Sequence, residues 1–381
     1  TRTTLLVNFR PEYRAPWMNK PNYRQLSLAP LGQEAVDELL GHLLGDHPSV
    51  IDLHGLIRDR TGGNPFFIEE LVQSLIDSGS LEGTPGGYRL TRPMEALEIP
   101  GTVKSLLAAR VDRLPEREKH VLQTAAVIGK TFSEPVLSRV IDLSGEDLAA
   151  SMGALQTAEL VHEQALYPWA EYAFKHPLTQ EVAYQSQLSE RRAQIHASVA
   201  RAIEAVSPAR IDENAALLAH HWEEADEARE AARWHRRAAE WAGMNSAEAL
   251  HHWQRVRDLL DAVPQERETL SHGAAARAQT LWHQIRIGIS EEQAATLFKE
   301  GHDLASRSEN RLALALILNS YGLFRLYSGG VREAQEFAEQ AVREADRTGD
   351  PGLRIALRWT LVSVHFSAGH LDDCLKAVSY T

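Results

Sequence analysis

The chain has 381 residues, more than one hydrophobic core usually organises, so two or three domains are expected and one compact enzyme domain is disfavoured. With 44% hydrophobic and 24% charged residues it has the composition of a folded globular protein, which excludes a disordered or collagenous chain. A net charge of −12 repels phosphate backbones and anionic lipid, the single cysteine, Cys374, excludes an internal disulfide, and no uncharged apolar run reaches the roughly 18 residues of a membrane span. These three features predict a cytoplasmic chain with neither nucleic acid nor membrane as a partner. Thr1-Arg2-Thr3-Thr4 runs straight into Leu5-Leu6-Val7 without an initiator Met, and the chain stops at Ala377-Val378-Ser379-Tyr380-Thr381 inside an amphipathic pattern. An internal piece of a longer protein is expected.

Leu5-Leu6-Val7-Asn8-Phe9, closed by Arg10-Pro11, reads as a buried parallel strand, and Leu26-Ser27-Leu28 as a second extended stretch. Helical spacing of Val36, Leu39, Leu40, Leu43 and Leu44 predicts a helix from Leu31, punctuated by Gly45 and Pro48. A second helix over 51–58 ends at Thr61-Gly62-Gly63-Asn64-Pro65, a third runs from Phe66 through Ile76, and 81–99 reads as a loop or hairpin. From Thr102 short helices follow at 103–111, 115–128, 134–141 and 146–160, each opened by Pro, Ser or an acid. The last three are a helix-turn-helix candidate. Val161-His162 and Tyr172-Ala173-Phe174 flank a loop and are expected to pair as a two-stranded wing, completing a winged helix.

Beyond Ser189 the pattern is helical throughout, and six of the eight tryptophans fall there, Trp222, Trp234, Trp241, Trp253, Trp282 and Trp359, where wedges between small-residue helices are expected. Gly329-x-Val331-x-x-Ala334 recurs as Gly369-x-Leu371-x-x-Cys374. Gly322, Ala334, Ala338 and Ala341 occupy the small-residue positions of a tetratricopeptide hairpin, and weaker copies centre on Ala249-x-x-x-Trp253 and Ala294-x-x-x-Phe298. At least four helical hairpins stacked as a solenoid are expected.

Several chemical motifs fail on inspection. Gly129-Lys130-Thr131 ends like a phosphate-binding P-loop, but position 124 is Thr and the preceding segment is helical where the motif needs a strand, so Gly129 reads as a helix C-cap. His162-Glu163-Gln164-Ala165-Leu166 has Leu where a zinc-protease motif needs its second His. The adjacent pairs His220-His221 and His251-His252 point apart on a helix and read as surface or packing residues. The helix over 145–160 carries three acids and no Lys or Arg, so a DNA groove would repel it, and the winged helix reads as a packing domain.

Three positions carry more. Arg10 follows the first strand, at the edge where open α/β sheets bind ligands; a plain surface arginine is the alternative. Pro65 starts a helix after a flexible Gly-Gly-Asn turn and can press its ring on a flat ligand, although a simple Asn cap with Pro at the first helical position explains the same residues. His176, in Tyr172-Ala173-Phe174-Lys175-His176-Pro177-Leu178, sits where a strand gives way to a helix and can face an anion, or serve as a structural histidine.

Together, the strand ending in Arg10, the Asn64-Pro65-Phe66-Phe67-Ile68-Glu69-Glu70 helix start, the winged helix closing on Phe174-Lys175-His176-Pro177-Leu178-Thr179-Gln180-Glu181-Val182-Ala183-Tyr184 and the following repeats resemble the signal-transduction ATPases of the STAND class. The nearest likeness is to the bacterial branch often fused to class III adenylate/guanylate cyclase or protein kinase domains. The resemblance implies a mainly α chain: residues 1–27 as the end of an α/β P-loop ATPase sheet, 28–98 as a helical lid, 99–190 as a winged helix and 191–381 as tetratricopeptide-like repeats. It implies that Arg10 faces the γ-phosphate, Pro65 packs on adenine and His176 holds the β-phosphate of ADP, with no catalytic or metal-binding residue in this chain. Walker A and B motifs should precede Arg10, so ATP or ADP with Mg²⁺ is expected in the longer protein and tight nucleotide binding is not expected of this chain alone. A protein or peptide partner on the solenoid and homo-oligomerisation on activation are likewise implied. The competing readings are a stand-alone tetratricopeptide scaffold independent of nucleotide, and part of a transcription activator.

Overall fold

The computed structural model describes residues 3–9, 13–97, 99–166 and 169–379, and the chain divides into two units, Thr1–Arg113 and Leu114–Thr381. The first unit is built on three helices, α1 (Gln33–Leu44), α2 (Pro48–Thr61) and α3 (Pro65–Asp77), followed by a minimal hairpin of β1 (Leu81–Glu82) and β2 (Arg89–Leu90), and then α4 (Val103–Arg113). Prolines open α2 and α3 where a missing N–H costs nothing. Their apolar stripes converge, so that Val36, Leu40, Leu44, Leu53, Ile57, Ile68 and Leu71 are all but inaccessible to solvent. Each such leucine or isoleucine contributes about 1.5–3 kcal/mol through burial.

The turn between α2 and α3 depends on its two glycines for different reasons. Gly62 has φ +56° with open space where a Cβ would stand, whereas Gly63 has φ +76° and a Cβ there would lie 2.3 Å from the Leu31 carbonyl oxygen. Leu31 N–H in turn donates to Gly63 O at 2.8 Å, which ties the segment before α1 to the start of α3. Gly63→Ala is therefore expected to cost the first unit about 2–4 kcal/mol, and Gly62→Ala about 1 kcal/mol. Denaturant midpoints of the two variants test this; equal losses would show that backbone conformation alone, and not the close approach, sets the cost.

The strand expected at the start of the chain, over residues 5–9, does not form. Residues 5–9 and 26–28 have no strand neighbour among the described residues, and Leu5, Leu6, Leu26 and Leu28 are 83–94% exposed. A strand exists only through ladder partners, and an apolar run without them has no reason to extend into one. An aromatic chain organises this segment instead: Phe9 lies 5.5 Å from Tyr13 and 6.1 Å from Trp17, and Trp17 lies 5.7 Å from Tyr23, centroid to centroid.

The second unit begins with α5 (Glu116–Ile128), β3 (Thr131–Ser133), α6 (Glu134–Val140), α7 (Gly145–Thr157), β4 (Val161–Ala165), β5 (Glu171–Phe174) and α8 (Pro177–Gln185). The strands form an antiparallel sheet in the order β3-β5-β4, with Phe132 opposite Tyr172 and Val161 opposite Phe174. This is winged-helix topology: three helices closed by a wing whose central strand also pairs with a short strand after the first helix. Phe132 packs against Tyr172 and Phe174 at 5.8 and 5.7 Å. The expected two-stranded wing is thus three-stranded, because β3 is too short to show a period.

The rest of the unit is helical hairpins. α9 (Ser189–Val206) and α10 (Ala215–Glu224) share one core with the winged helix through Val127, Val136, Val199 and Leu218. Four hairpins follow: α11 (Ala228–Ala242) with α12 (Ser246–Asp261), α13 (Arg267–Ile287) with α14 (Glu291–Arg307), α15 (Arg311–Tyr327) with α16 (Val331–Thr348), and α17 (Pro351–Ser367) with α18 (Leu371–Ser379). Gly329 and Gly369, φ +88° and +79°, make the equivalent turns of the last two. Ala334, Ala338 and Ala341 are buried to within 1%, and a Cβ on Gly322 would stand 3.2 Å from that of Phe337, so close helix approach explains the small residues. The chain is mainly α, and its larger part is solenoid-like. Among the described residues, no helix is long and apolar enough to cross a membrane.

Candidate functional site

Of the three positions singled out from sequence, Arg10 lies outside the described residues. Pro65 belongs to the first unit, where it is the exposed first residue of α3, and Asn64 caps the helix by accepting from Phe67 N–H at 3.2 Å.

His176 belongs to the second unit, half-buried at the N-cap of α8 and directly after β5. Its Nδ1 accepts from Leu178 N–H at 3.1 Å, which leaves the proton of the neutral ring on Nε2. The ring is therefore oriented as a donor at a helix N-terminus, where the dipole also favours an anion. Gln180 pins the helix by donating from Nε2 to Ala126 O at 2.8 Å. The weaker motifs stay excluded: Gly129 caps α5 and leads into β3, an order of helix, turn and strand opposite to that of a P-loop, and His162 and Glu163 lie on strand β4.

The adjacent histidines divide between surface and packing positions, as their spacing predicts, and the buried member of each pair has a partner that the spacing does not show. His220 and His251 are exposed while His221 and His252 are buried, and each buried ring meets a histidine from another helix. His196 Nδ1 lies 2.9 Å from His221 Nδ1, and His235 Nδ1 lies 2.8 Å from His252 Nδ1. In each pair one ring must donate and the other accept. A consistent direction runs from His221 through His196 to Tyr184 Oη at 3.1 Å, and from Tyr184 O–H to the Glu224 carboxylate at 3.2 Å. The parallel relay runs from His252 through His235 to Glu223 Oε1 at 2.5 Å, a carboxylate that also accepts from Arg255 Nε and Nη2 at 3.0 and 2.9 Å. Burial is the main reason that His196 and His235 are each lowered to about 4 and His221 to about 3. The two relays tie α8 through α12 together.

The first helices of successive hairpins line a groove. One stretch, of about 480 Å³, is bounded by Arg236, Glu240, His272, Gln279 and Trp282, and the next, of about 490 Å³, by Trp282, Arg286, Tyr327 and Trp359. Trp282 belongs to both. Trp222, Trp234 and Trp253 are wedges as expected, but Trp241 and Trp359 are 59% and 71% exposed, so the tryptophans divide between core and surface.

No family model matches the chain. Among curated proteins it is similar to an uncharacterized protein of Rhizobium meliloti, 23% identical over an alignment of 388 positions that covers 98% of this chain and 36% of the relative. The chain spans about a third of the length of that relative. Among solved structures it is similar to a Signal Transduction ATPase with Numerous Domains (STAND) protein with a tetratricopeptide repeat sensor from Pyrococcus horikoshii, with a TM-score of 0.31 and 10% identity over 92% of this chain and 59% of that one.

The histidine relays and the aromatic groove are what reading along the chain missed. A weak clue to the relays was present: His221 and His252 each precede a buried Trp, at positions 222 and 253, and so begin an inward-facing pair. Nothing in the local pattern names the partner ring, which comes from a different helix each time.

Proposed function

We propose that this chain is the regulatory portion of a nucleotide-switched signal-transduction ATPase of the STAND class. In this reading residues 28–98 are its lid, 99–190 its winged helix and 191–381 its sensing repeats. The observation that carries the reading is His176: a histidine fixed at the junction of wing strand and helix, its proton placed on Nε2, in a winged helix that runs directly into a hairpin solenoid. That donor fits a phosphate oxygen, and the exposed ring of Pro65 fits the face of a purine. His176 would hold the β-phosphate of ADP, Pro65 would pack on adenine and Arg10 would meet a γ-phosphate, with Mg²⁺ and the Walker motifs supplied by the preceding part of the longer protein. A protein or peptide partner in the aromatic groove would favour an open state, release ADP and allow oligomerisation to switch on an attached output domain, for which the resemblance points to a nucleotide cyclase.

The test is ADP retention. A polypeptide carrying this chain behind its P-loop domain is expected to co-purify with ADP, and His176→Ala to lower the retained fraction about tenfold or more. Equal retention removes the locking role of His176. The absence of ADP from the unaltered polypeptide would favour the second reading, a tetratricopeptide scaffold, for which the exposed Trp282–Trp359 groove is the supporting observation.

A further inference from the structure

The last hairpin brings three metal-ligating side chains to one point. His365 lies in the final turn of α17, His370 in the connecting turn and Asp373 in the first turn of α18. Each offers one ligand atom, and these atoms lie within 4.8 Å of one another. The His365 and His370 ring centroids are 6.3 Å apart. A second observation is independent of this grouping: His365 is only 6% exposed, yet its Nδ1 has no hydrogen-bond partner. A buried imidazole nitrogen left unsatisfied costs about 1–3 kcal/mol, a cost that a ligand at this position would remove.

We propose that His365, His370 and Asp373 form a binding site for a divalent transition-metal ion of the zinc class. Two imidazole nitrogens and a carboxylate match that class, whereas calcium and magnesium require mostly oxygen donors. Zinc bonds of about 2.0–2.2 Å place tetrahedral ligand atoms about 3.3 Å apart, so the set closes by small rotations of exposed His370 and half-buried Asp373. The ion pair of Asp373 with Lys376, at 2.8 Å, must loosen, and as a surface pair it offers little resistance. Cys374 is not part of the set; its Sγ lies 3.5 Å from Val362 O. Three protein ligands leave a fourth position for water or another donor. No side chain described in α18 is fully buried, so an ion held by both helices would fasten α18 to α17.

Titration of the full chain with Zn²⁺ near neutral pH is expected to show one site per chain with a dissociation constant of about 10 μM or tighter, and Co²⁺ to develop the visible absorption of a low-coordinate nitrogen and oxygen site. His370→Ala and Asp373→Asn are both surface changes and are expected to weaken zinc binding about tenfold or more with unchanged circular dichroism. In the unaltered chain, zinc should slow hydrogen exchange of the α18 amides, a readout that needs no variant. Absence of binding at about 1 mM zinc, binding that both variants keep, or α18 exchange indifferent to zinc would each overturn the proposal.

Discussion

Arg110→Met is expected to destabilise the first unit by about 3–5 kcal/mol. The Arg110 side chain is 3% exposed, where it joins α4 to α3 through the Glu70 carboxylate, itself 10% exposed, and through Asp77 Oδ2 at 3.3 Å. Methionine fills much of the same volume, so the loss isolates the charge. What remains is a buried carboxylate without its guanidinium, and the low-polarity surroundings of Ile68, Leu71 and Leu106 penalise it. Hydrogen exchange of the α3 and α4 amides reads the first unit separately from the second. The double variant Arg110→Met/Glu70→Leu should recover most of the loss, because removing both charges removes the desolvation penalty as well. A single-variant loss below about 1 kcal/mol would show that the pair is solvated in solution.

The second unit is expected to lose stability as pH falls from about 6.5, before ordinary carboxylates begin to titrate. His196, His221 and His235 are held at about 4, 3 and 4 in the native state, in each case first by burial. Neighbouring charges add to this: His220 and Arg192 act on His196, and His196 and His220 act on His221. For His235 the hydrogen bond to Glu223 works in the opposite direction and burial prevails. The unfolded chain takes up these protons near 6.5 and the native chain does not, so below 6.5 the unfolded state binds more protons and is favoured. The loss is at most about 1.4 kcal/mol per pH unit for each such histidine, and it is absent above pH 7. A second imidazolium cannot enter either pair without facing the first at under 3 Å. Melting temperatures between pH 7.5 and 5 check the slope. His221→Gln should make it shallower, and a melting temperature flat across that window would mean that the histidines are solvated.

Most helices were legible in the sequence because a helix is announced by local spacing and by its ends. Leu40 and Leu44 at i and i+4, Pro65 after Asn64, and Gly329 repeated at Gly369 each carry their own meaning within one or two turns of chain. The failure of Gly129-Lys130-Thr131 as a P-loop was legible for the same reason, since a helix precedes it where a strand is required. The strand expected at Leu5–Phe9 failed because ladder partners are not a property of the run itself. β3 escaped notice because three residues cannot display a period of two. Of the candidate site, the local frames of Pro65 and His176 were readable as helix starts, and the structure adds the ring tautomer of His176 through one hydrogen bond.

The sequence by itself determined the order of helices, the wing, the small-residue faces of the repeats and the absence of a phosphate loop within these residues, all consequences of spacing along a single strand of chain. Only the tertiary structure decided which tryptophans are wedges and which line a groove, that His196 meets His221 and His235 meets His252, and that His365, His370 and Asp373 converge. The division has one physical cause. Periodicity tells which face of a helix is turned inward, but burial, hydrogen-bond pairing and metal ligation depend on which other face it meets, and that is set by how hairpins stack across long stretches of sequence.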